Sequence, residues 1–274
     1  MDFAGGPGWA AVVCAAAVVL SGPSVLAQTL PVSSPLAPPL TSNRPGIAES
    51  EAILVPRAFQ LESGFTLAEF SDGGVRHRLV DLPEATLRFG LTPRFELFAN
   101  LSSYFWDRAT FGGRAERASG ASDLSVNAKI GWLSEARHGI TLAAAVGLSL
   151  PVGSDEFSSG GYDPSVRLLW SRSVPGDFGL SGNLDIASVT AGPERLTAGA
   201  ASLGLGRGLS ESSSWFVELF GDFVEGGSHQ WQLDGGIAVV PRPDVQIDLS
   251  AGRTLQSGPS AWFLAAGITL RHRR

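Results

Sequence analysis

The feature that most constrains this sequence is a period-two alternation of apolar with small or polar residues, repeated in about twelve stretches. In residues 58–69, Phe59 and Leu61 fall on one face of an extended strand, and Gln60 and Glu62 fall on the other. Strands of a membrane-spanning barrel show this pattern because one side chain faces lipid and the next faces the lumen. The pattern therefore predicts an all-β fold, a transmembrane antiparallel up-and-down β-barrel of about 12 strands.

Residues 1–27 are predicted to be a signal peptide and to lie outside the fold. An apolar run over residues 10–20 is followed by a small-residue cleavage site that ends at Ala27, so we expect the mature chain to begin at Gln28. The run is shorter than the about 20 residues that a membrane-spanning helix needs. The only cysteine, Cys14, lies in this leader. We therefore expect export to the cell outer membrane, without a disulfide framework or a cysteine-ligated metal site.

Residues 28–57 form a Pro-rich segment without periodicity, which we expect to be periplasmic, flexible before Thr41 and ordered after it. Residues 58–274 form the predicted barrel. Its strands, each long enough for the about 9–11 residues of a tilted membrane-crossing strand, are predicted at 58–69, 76–91, 95–104, 122–132, 140–150, 162–171, 178–187, 195–207, 214–223, 229–240, 245–253 and 261–270.

The connections between these strands alternate in length. The short ones are at 92–94, 133–139, 172–177, 208–213 and 241–244, and the longer set is at 105–121, 151–161, 188–194, 224–228 and 254–260. In bacterial barrels the short turns are periplasmic and the longer loops are extracellular. An even number of strands then places both chain ends in the periplasm.

A soluble β-sandwich is the alternative fold, because its strands show the same alternation around an apolar core. Large aromatic residues near the predicted strand ends favour the barrel, since they match an aromatic girdle at the membrane interface. These residues are Phe95, Trp132, Trp170, Phe178, Trp215, Trp231 and Trp262.

Several motifs, taken in order, resemble a known family. They are Thr41-Ser42-Asn43-Arg44-Pro45-Gly46, the runs at 59–64 and 82–92, Asp123-Leu124-Ser125 with Lys129, the run at 148–154 and Tyr162-Asp163-Pro164-Ser165. The sequence resembles the outer-membrane barrel transporters grouped under the meta-pathway of phenol degradation, over nearly all of the mature chain. The resemblance implies a porin-like barrel. The chain departs from the family pattern at Asn43, where an Asp is usual, and at its end, which lacks a terminal aromatic. We therefore expect recognition by the barrel-assembly machinery either to be weaker or to use Leu270.

Charged residues dominate the predicted lumen lining, and acids outnumber bases. The predicted lumen-lining residues are Arg44, Glu62, Glu84, Arg88, Glu96, Asp123, Lys129, Arg167, Asp185, Glu218, Asp222, Asp234 and Asp248. We hypothesise that Arg44 folds back into the periplasmic mouth and pairs with one or more of these acids, because a buried unpaired charge is costly. The alternatives are a hydrogen-bonded ladder that fills a narrow barrel and a role in transport.

Five predicted inward positions are apolar, which is unusual for an open aqueous pore. They are Phe98, Leu169, Phe216, Phe220 and Phe263. One interpretation is a hydrophobic track for small aromatic or aliphatic compounds. The other is that these side chains fill the interior as packing.

The sequence carries no enzyme motif: it has no nucleophile elbow, no phosphate-binding loop and no metal-spaced histidine pair. We therefore expect no enzymatic activity, no cofactor and no metal, and the net charge of −6 argues against a nucleic-acid partner. The favoured function is an outer-membrane channel or transporter for small, hydrophobic or aromatic solutes, with outer-membrane lipid and the assembly machinery as partners. The alternatives are a structural barrel and a lipid hydrolase in which His138 or His229 activates a serine.

Overall fold

The computed structural model describes residues 40–72, 74–227, 229–255 and 261–273. The predictions for the signal peptide and for residues 28–39 lie outside the described residues. The strands found in the described chain are β1 (Ala58–Asp72), β2 (Val75–Thr92), β3 (Phe95–Leu101), β4 (Tyr104–Phe111), β5 (Arg114–Ala121), β6 (Leu124–Leu133), β7 (Thr141–Leu150), β8 (Asp163–Val174), β9 (Phe178–Ala191), β10 (Glu194–Ser210), β11 (Ser213–Val224), β12 (Gln230–Arg242), β13 (Val245–Thr254) and β14 (Trp262–Arg273). One short helix, α1 (Glu135–His138), lies between β6 and β7, and no helix of the described residues is long and apolar enough to cross a membrane.

The strands form a closed antiparallel barrel of twelve strands, as predicted. Strand β1 pairs with both β2 and β14, which closes the sheet. Both β3 and β4 pair with β2, so β4 continues the third barrel strand after a break at 102–103, and β5 continues the fourth before β6. The closed sheet excludes the β-sandwich.

The prediction that residues 105–121 form a loop is wrong. They form most of the β4–β5 hairpin, because β2 extends to Val75 and supplies β4 with a pairing partner from Arg76 to Asp81. Phe105 anchors the hairpin, since its ring is buried in an apolar cluster with Leu79 and Phe157. Likewise the predicted loop at 188–194 is a two-residue turn between β9 and β10. Among the connections predicted to be the longer, extracellular ones, the connection between β7 and β8 is therefore the main extended loop in the described chain.

The two faces of the barrel differ in the way that a membrane protein requires. Large apolar side chains such as Phe59, Val146, Leu184 and Ile247 are more than half exposed on the outer face. Polar and charged side chains fill the interior, and the outward charged groups lie near the strand ends. This arrangement fits a lipid environment, in which a charge at the bilayer midplane is costly.

Strand β2 changes its inward face part-way along its length. Its C-terminal half directs Thr86 and Arg88 inward, and its N-terminal half directs Leu79 and Asp81 inward. The change occurs at Pro83, opposite a register shift on β1. A proline inside a strand marks such an irregularity, because it donates no ladder hydrogen bond.

Candidate functional site in the barrel interior

Residues 40–57, called here the inner segment, lie inside the barrel. The backbone N–H of Arg57 donates to the Gly90 carbonyl oxygen at 2.8 Å, at the barrel end that also holds the C-terminal strand end. Arg44 reaches the middle of the barrel, where it lies against Gly64, and the Thr41 carbonyl oxygen again lies lower, accepting from Gln60. The segment therefore enters from the barrel end that holds the C-terminal strand end, which is the end expected to face the periplasm, rises to mid-height and returns. The buried residues of this segment are Ser42, Asn43, Arg44, Pro45, Glu49, Ser50, Glu51 and Leu54.

Arg44 is held at mid-height by two acids on different strands. Its Nη1 donates to Glu84 Oε2 at 2.9 Å, and its Nε donates to Asp248 Oδ1 at 3.2 Å. Its carbonyl oxygen accepts from Gln246 Nε2 at 3.0 Å. Burial alone would lower the pKa of Arg44, but Glu84 and Asp248 outweigh it and raise that pKa. The guanidinium therefore stays charged and links β2, β13 and the inner segment.

A buried ladder of charges continues below Arg44. Arg88 donates from Nε to Glu96 Oε1 at 2.7 Å and from Nη1 to Glu62 Oε1 at 2.9 Å. Both acids also bind the inner segment, since Glu62 accepts from the Asn43 N–H and Glu96 accepts from the Leu54 N–H. The side chains of the three ladder residues are fully excluded from solvent. Each acid thus pairs with a cation and with backbone of the segment, which a buried charge requires.

Glu49 of the inner segment extends this ladder along the neighbouring wall, from β3 to β6 and β8. Its carboxylate forms ion pairs with Lys129, whose Nζ lies 2.9 Å from Glu49 Oε1, and with Arg167. Lys129 also donates to the Ser50 carbonyl oxygen at 2.7 Å. Burial tends to raise the pKa of Glu49, but Arg167 and Lys129 outweigh it and hold that pKa below its usual value.

Glu51 and Glu218 mark two further contacts of the segment with the wall. Ser171 Oγ donates to Glu51 Oε1 at 2.7 Å, and burial raises the pKa of Glu51. Glu218 on β11 accepts from the backbone N–H groups of Ile47 and Ala48 at 2.8 and 2.9 Å. The inner segment is therefore attached to most of the barrel circumference.

The remaining predicted acids lie elsewhere in the interior. Asp123 accepts from the Gly153 N–H at 3.0 Å and thereby holds the β7–β8 loop. Asp234 is buried directly opposite Glu218 across the β11–β12 pair. Asp185 faces the cavity described below, and Asp222 lies near the extracellular end of β11.

The five predicted apolar residues point inward, but the structure separates them. Phe98 lies between Lys129 and Arg167, which approach its ring at 5.4 and 5.7 Å. Leu169 packs in a small cluster with Ala143 and Ala145. Phe216 is buried beside Gly236. The five apolar residues therefore form no single hydrophobic track.

Phe220 and Phe263 line a cavity of about 240 Å³ between the inner segment and the extracellular loop. Arg44 and Ile47 contribute to the floor of this cavity, and Phe157 of the β7–β8 loop contributes to its wall. Phe157 is only 3% exposed, because the loop folds into the barrel and packs on Phe105 with ring centroids 5.3 Å apart. The cavity is thus a chamber with an apolar side and a charged floor.

Several residues of this site escaped the sequence reasoning. Glu49 and Glu51 were absent from the predicted lining because they precede the first alternating strand, although acids beside Arg44 were a usable signal. His77 and Asp107 form a buried pair, with Nδ1 and Oδ2 2.8 Å apart. The sequence does not reveal this pair, because β2 changes its inward face between His77 and the predicted inward residues Glu84 and Arg88. Asn127 on β6 is a further residue of the site, since its Oδ1 accepts a hydrogen bond from Arg167.

The histidines proposed for a hydrolase make other contacts. His138 Nδ1 lies 3.2 Å from the Ser134 carbonyl oxygen, and the His229 ring lies edge-on to Phe223 at 6.3 Å. Within the described residues, no three His, Cys, Asp or Glu side chains converge as a metal site would require.

The family model described as "Putative MetA-pathway of phenol degradation" matches residues 42–272. The chain belongs to this family. The match spans most of the inner segment and nearly the whole barrel. It also agrees with the resemblance found in the sequence. No curated protein matches the sequence significantly.

Solved structures share the fold of this family member at low sequence identity. The COG4313 outer membrane channel from Pseudomonas putida F1 has a TM-score of 0.62 at 16% identity, over 84% of this chain and 99% of that chain. The β domain of the Bordetella autotransporter BrkA has a TM-score of 0.52 at 15% identity, over 78% and 98%. The KdgM porin in complex with disordered oligogalacturonate has a TM-score of 0.51 at 8% identity, over 77% and 98%. These similarities place the chain among barrels of the outer-membrane type.

Proposed function

We propose that this family member is an outer-membrane channel for small solutes, with a preference for compact aromatic or aliphatic molecules, and that it is not an enzyme. The observation that carries the proposal is the cavity of about 240 Å³ inside the barrel, lined on one side by Phe157, Phe220 and Phe263. The fold shared with an outer membrane channel and a porin supports passage through the barrel. The phenol-degradation description of the family supports an aromatic solute.

The size and chemistry of the cavity limit the solute to about one substituted ring. An apolar cavity of about 150 Å³ holds benzene, so this chamber has room for a ring with a small substituent. Phenyl rings attract an aromatic solute through offset or edge contacts worth about 0.5–1.5 kcal/mol beyond burial. Arg44 and Arg167 also line the cavity, together with acids such as Asp185, so its other side offers donors and acceptors to a polar substituent on the ring.

The inner segment sets the rate of passage beyond the cavity. Its part between Arg44 and Glu49 forms the floor, so a solute that enters from outside must displace or pass this floor to reach the periplasm. The ion pairs of Arg44 and Glu49 resist that movement. The proposed channel is therefore narrow and slow compared with an open aqueous pore.

Liposome swelling tests this function directly. The full-length protein is reconstituted, and swelling is compared in benzoate and in arabinose, with protein-free liposomes subtracted for each solute. We expect faster protein-dependent entry of benzoate. Equal entry of both solutes contradicts the aromatic preference, and no protein-dependent entry of either contradicts the channel function.

Two phenylalanine variants supply a matched comparison. Phe220→Ala removes a ring that lines the cavity, whereas Phe216→Ala removes an equally buried ring outside it. We expect the benzoate-to-arabinose ratio to fall in Phe220→Ala and to stay at the wild-type value in Phe216→Ala. The same change in both variants would indicate a general loss of packing instead of a loss of solute contact.

A further inference from the structure

The outer face of the barrel carries a row of charged residues in direct register at its extracellular end. Strand pairing aligns Arg253 with Trp262, Trp262 with Glu69, and Glu69 with Arg78. It continues from Arg78 to Arg108 and from Arg108 to Arg117. We call Arg78, Arg108 and Arg117 the arginine row; all three side chains are exposed on neighbouring strands β2, β4 and β5.

The arginine row is repulsive in the protein alone. Directly opposite residues on paired strands have Cβ atoms about 4.5–5.5 Å apart, and like charges there are destabilising. In the described part of the chain, Glu69 is the acid in register with the row, and it forms an ion pair with Arg76 at 3.9 Å. The described residues offer Arg78, Arg108 and Arg117 no ion pair or hydrogen bond. An external anion between the three guanidinium groups would remove the repulsion.

The height of the row places it at lipid headgroups. Glu69 lies ten residues beyond Phe59 on β1, so at about 3.3 Å per residue and a tilt of about 40° the row stands about 25 Å above Phe59. This is the height of the apolar band of an outer-membrane barrel. Trp106 and Val80 lie one step below the row in the same register, as a girdle residue and a lipid-facing residue should.

We propose that the arginine row binds the phosphate groups of a phosphorylated glycolipid in the outer leaflet, whose acyl chains lie on the apolar face below. Guanidinium groups bind phosphate through paired hydrogen bonds and suit this role better than lysine. Clusters of basic residues at a membrane surface attract anionic headgroups. Trp106 and Tyr104, whose rings are 4.7 Å apart, form the wall against which the first acyl carbons lie.

Retention of lipid by the purified full-length protein tests this proposal. Native mass spectrometry is performed after incubation with lipid A and, separately, with lipid A from which the phosphates have been removed. We expect the wild type to retain lipid A at least tenfold better than the dephosphorylated form. Equal retention of both forms overturns the proposal, and so does binding of inorganic phosphate without retention of the lipid.

Two triple variants locate the contact. R78Q/R108Q/R117Q removes the arginine row, and R94Q/R137Q/R172Q removes three exposed arginines at the opposite barrel end. We expect lipid A retention to fall about tenfold or more in the first variant and to remain at the wild-type level in the second, with both variants showing the heat-modifiable gel mobility of a folded barrel. Undiminished retention in the first variant, or an equal loss in both, overturns the proposal. If the first variant does not fold, R108Q alone is compared with R137Q by the same criteria.

Discussion

Arg44 and Asp248 are separated by 204 residues in the chain and form a hydrogen bond of 3.2 Å in the middle of the barrel. The pair joins a segment that precedes the first strand to β13, near the end of the chain. Because Arg44 also bonds to Glu84 on β2, one guanidinium connects the inner segment to two sides of the barrel. In the proposed channel, we expect this connection to hold the inner segment across the lumen.

Replacing Arg44 tests this role. Arg44→Ala leaves Glu84 and Asp248 without their cation, and loss of one partner from a buried pair costs about 3–5 kcal/mol. We expect a lower free energy of unfolding in urea and a larger conductance in planar bilayers, because the inner segment loses its attachment at mid-height. Unchanged conductance together with unchanged stability would remove any gating role of Arg44.

A substitution at Gly267 on the barrel wall also tests the position of the Arg44 guanidinium. A Cβ atom at Gly267 would overlap the Arg44 guanidinium, whereas a Cβ atom at Gly179 meets nothing within 4 Å. We expect Gly267→Ala to cost about 1–3 kcal/mol through overpacking and to raise conductance in the direction of Arg44→Ala. Gly179→Ala should leave both quantities at wild-type values, and a conductance change in that control would disconnect the effect from Arg44.

Glu49 should stabilise the fold in a pH-dependent way. Burial opposes its ionisation, but Arg167 and Lys129 hold its pKa below the ordinary 4.5 in the folded state, so its stabilisation is complete above pH 4.5 and is lost as the pH falls through the lower folded value. We therefore expect Glu49→Gln to be less stable than wild type at pH 7 and the difference to shrink below pH 4.5. Urea unfolding at several pH values measures this, and a difference that does not depend on pH would contradict it.

Ionisation of Glu51 should destabilise the fold, which is the opposite of the effect expected for Glu49. Burial raises its pKa above the ordinary 4.5, so its ionisation opposes folding once the pH exceeds 4.5, and this cost grows until the folded pKa is passed. Gln in its place still accepts the hydrogen bond from Ser171. We expect Glu51→Gln to be more stable than wild type at pH 7 and equal to it below pH 4.5 in the same urea series; a less stable variant at pH 7 would refute this assignment.

The barrel can be predicted from the sequence, because the period-two alternation is a local property of each strand. The alternation predicted twelve strands, and the closure of the sheet excludes the sandwich. The path of the inner segment is not local, since its position depends on acids such as Glu218 and Asp248, which lie far along the chain. Glu49 carries no periodic signal, so its place between Lys129 and Arg167 could not be read from spacing.

The loop assigned to residues 105–121 failed for a related reason. Its residues alternate weakly, because Arg108 and Arg117 face outward beyond the apolar band, where acyl chains do not select apolar residues. The pairing of β4 depends on how far β2 extends. The separation of Phe98 from Phe220 likewise follows from the height of each strand in the barrel, which hydrophobicity alone does not reveal.

The outer face provides the last prediction. Val146 lies in the middle of β7 with its side chain 56% exposed, and Leu209 lies near the periplasmic end of β10 with its side chain 64% exposed. If this face contacts lipid, Val146→Lys should cost about 2–4 kcal/mol and Leu209→Lys about 0–1 kcal/mol, because the penalty falls from the midplane to the interface. Reversible unfolding in lipid vesicles measures both. If both positions faced water, lysine would be tolerated alike at each, because the two side chains are similarly exposed. Equal costs would therefore mean that Val146 does not face acyl chains. A larger cost at Val146 than at Leu209 ties the exposed apolar surface to the membrane.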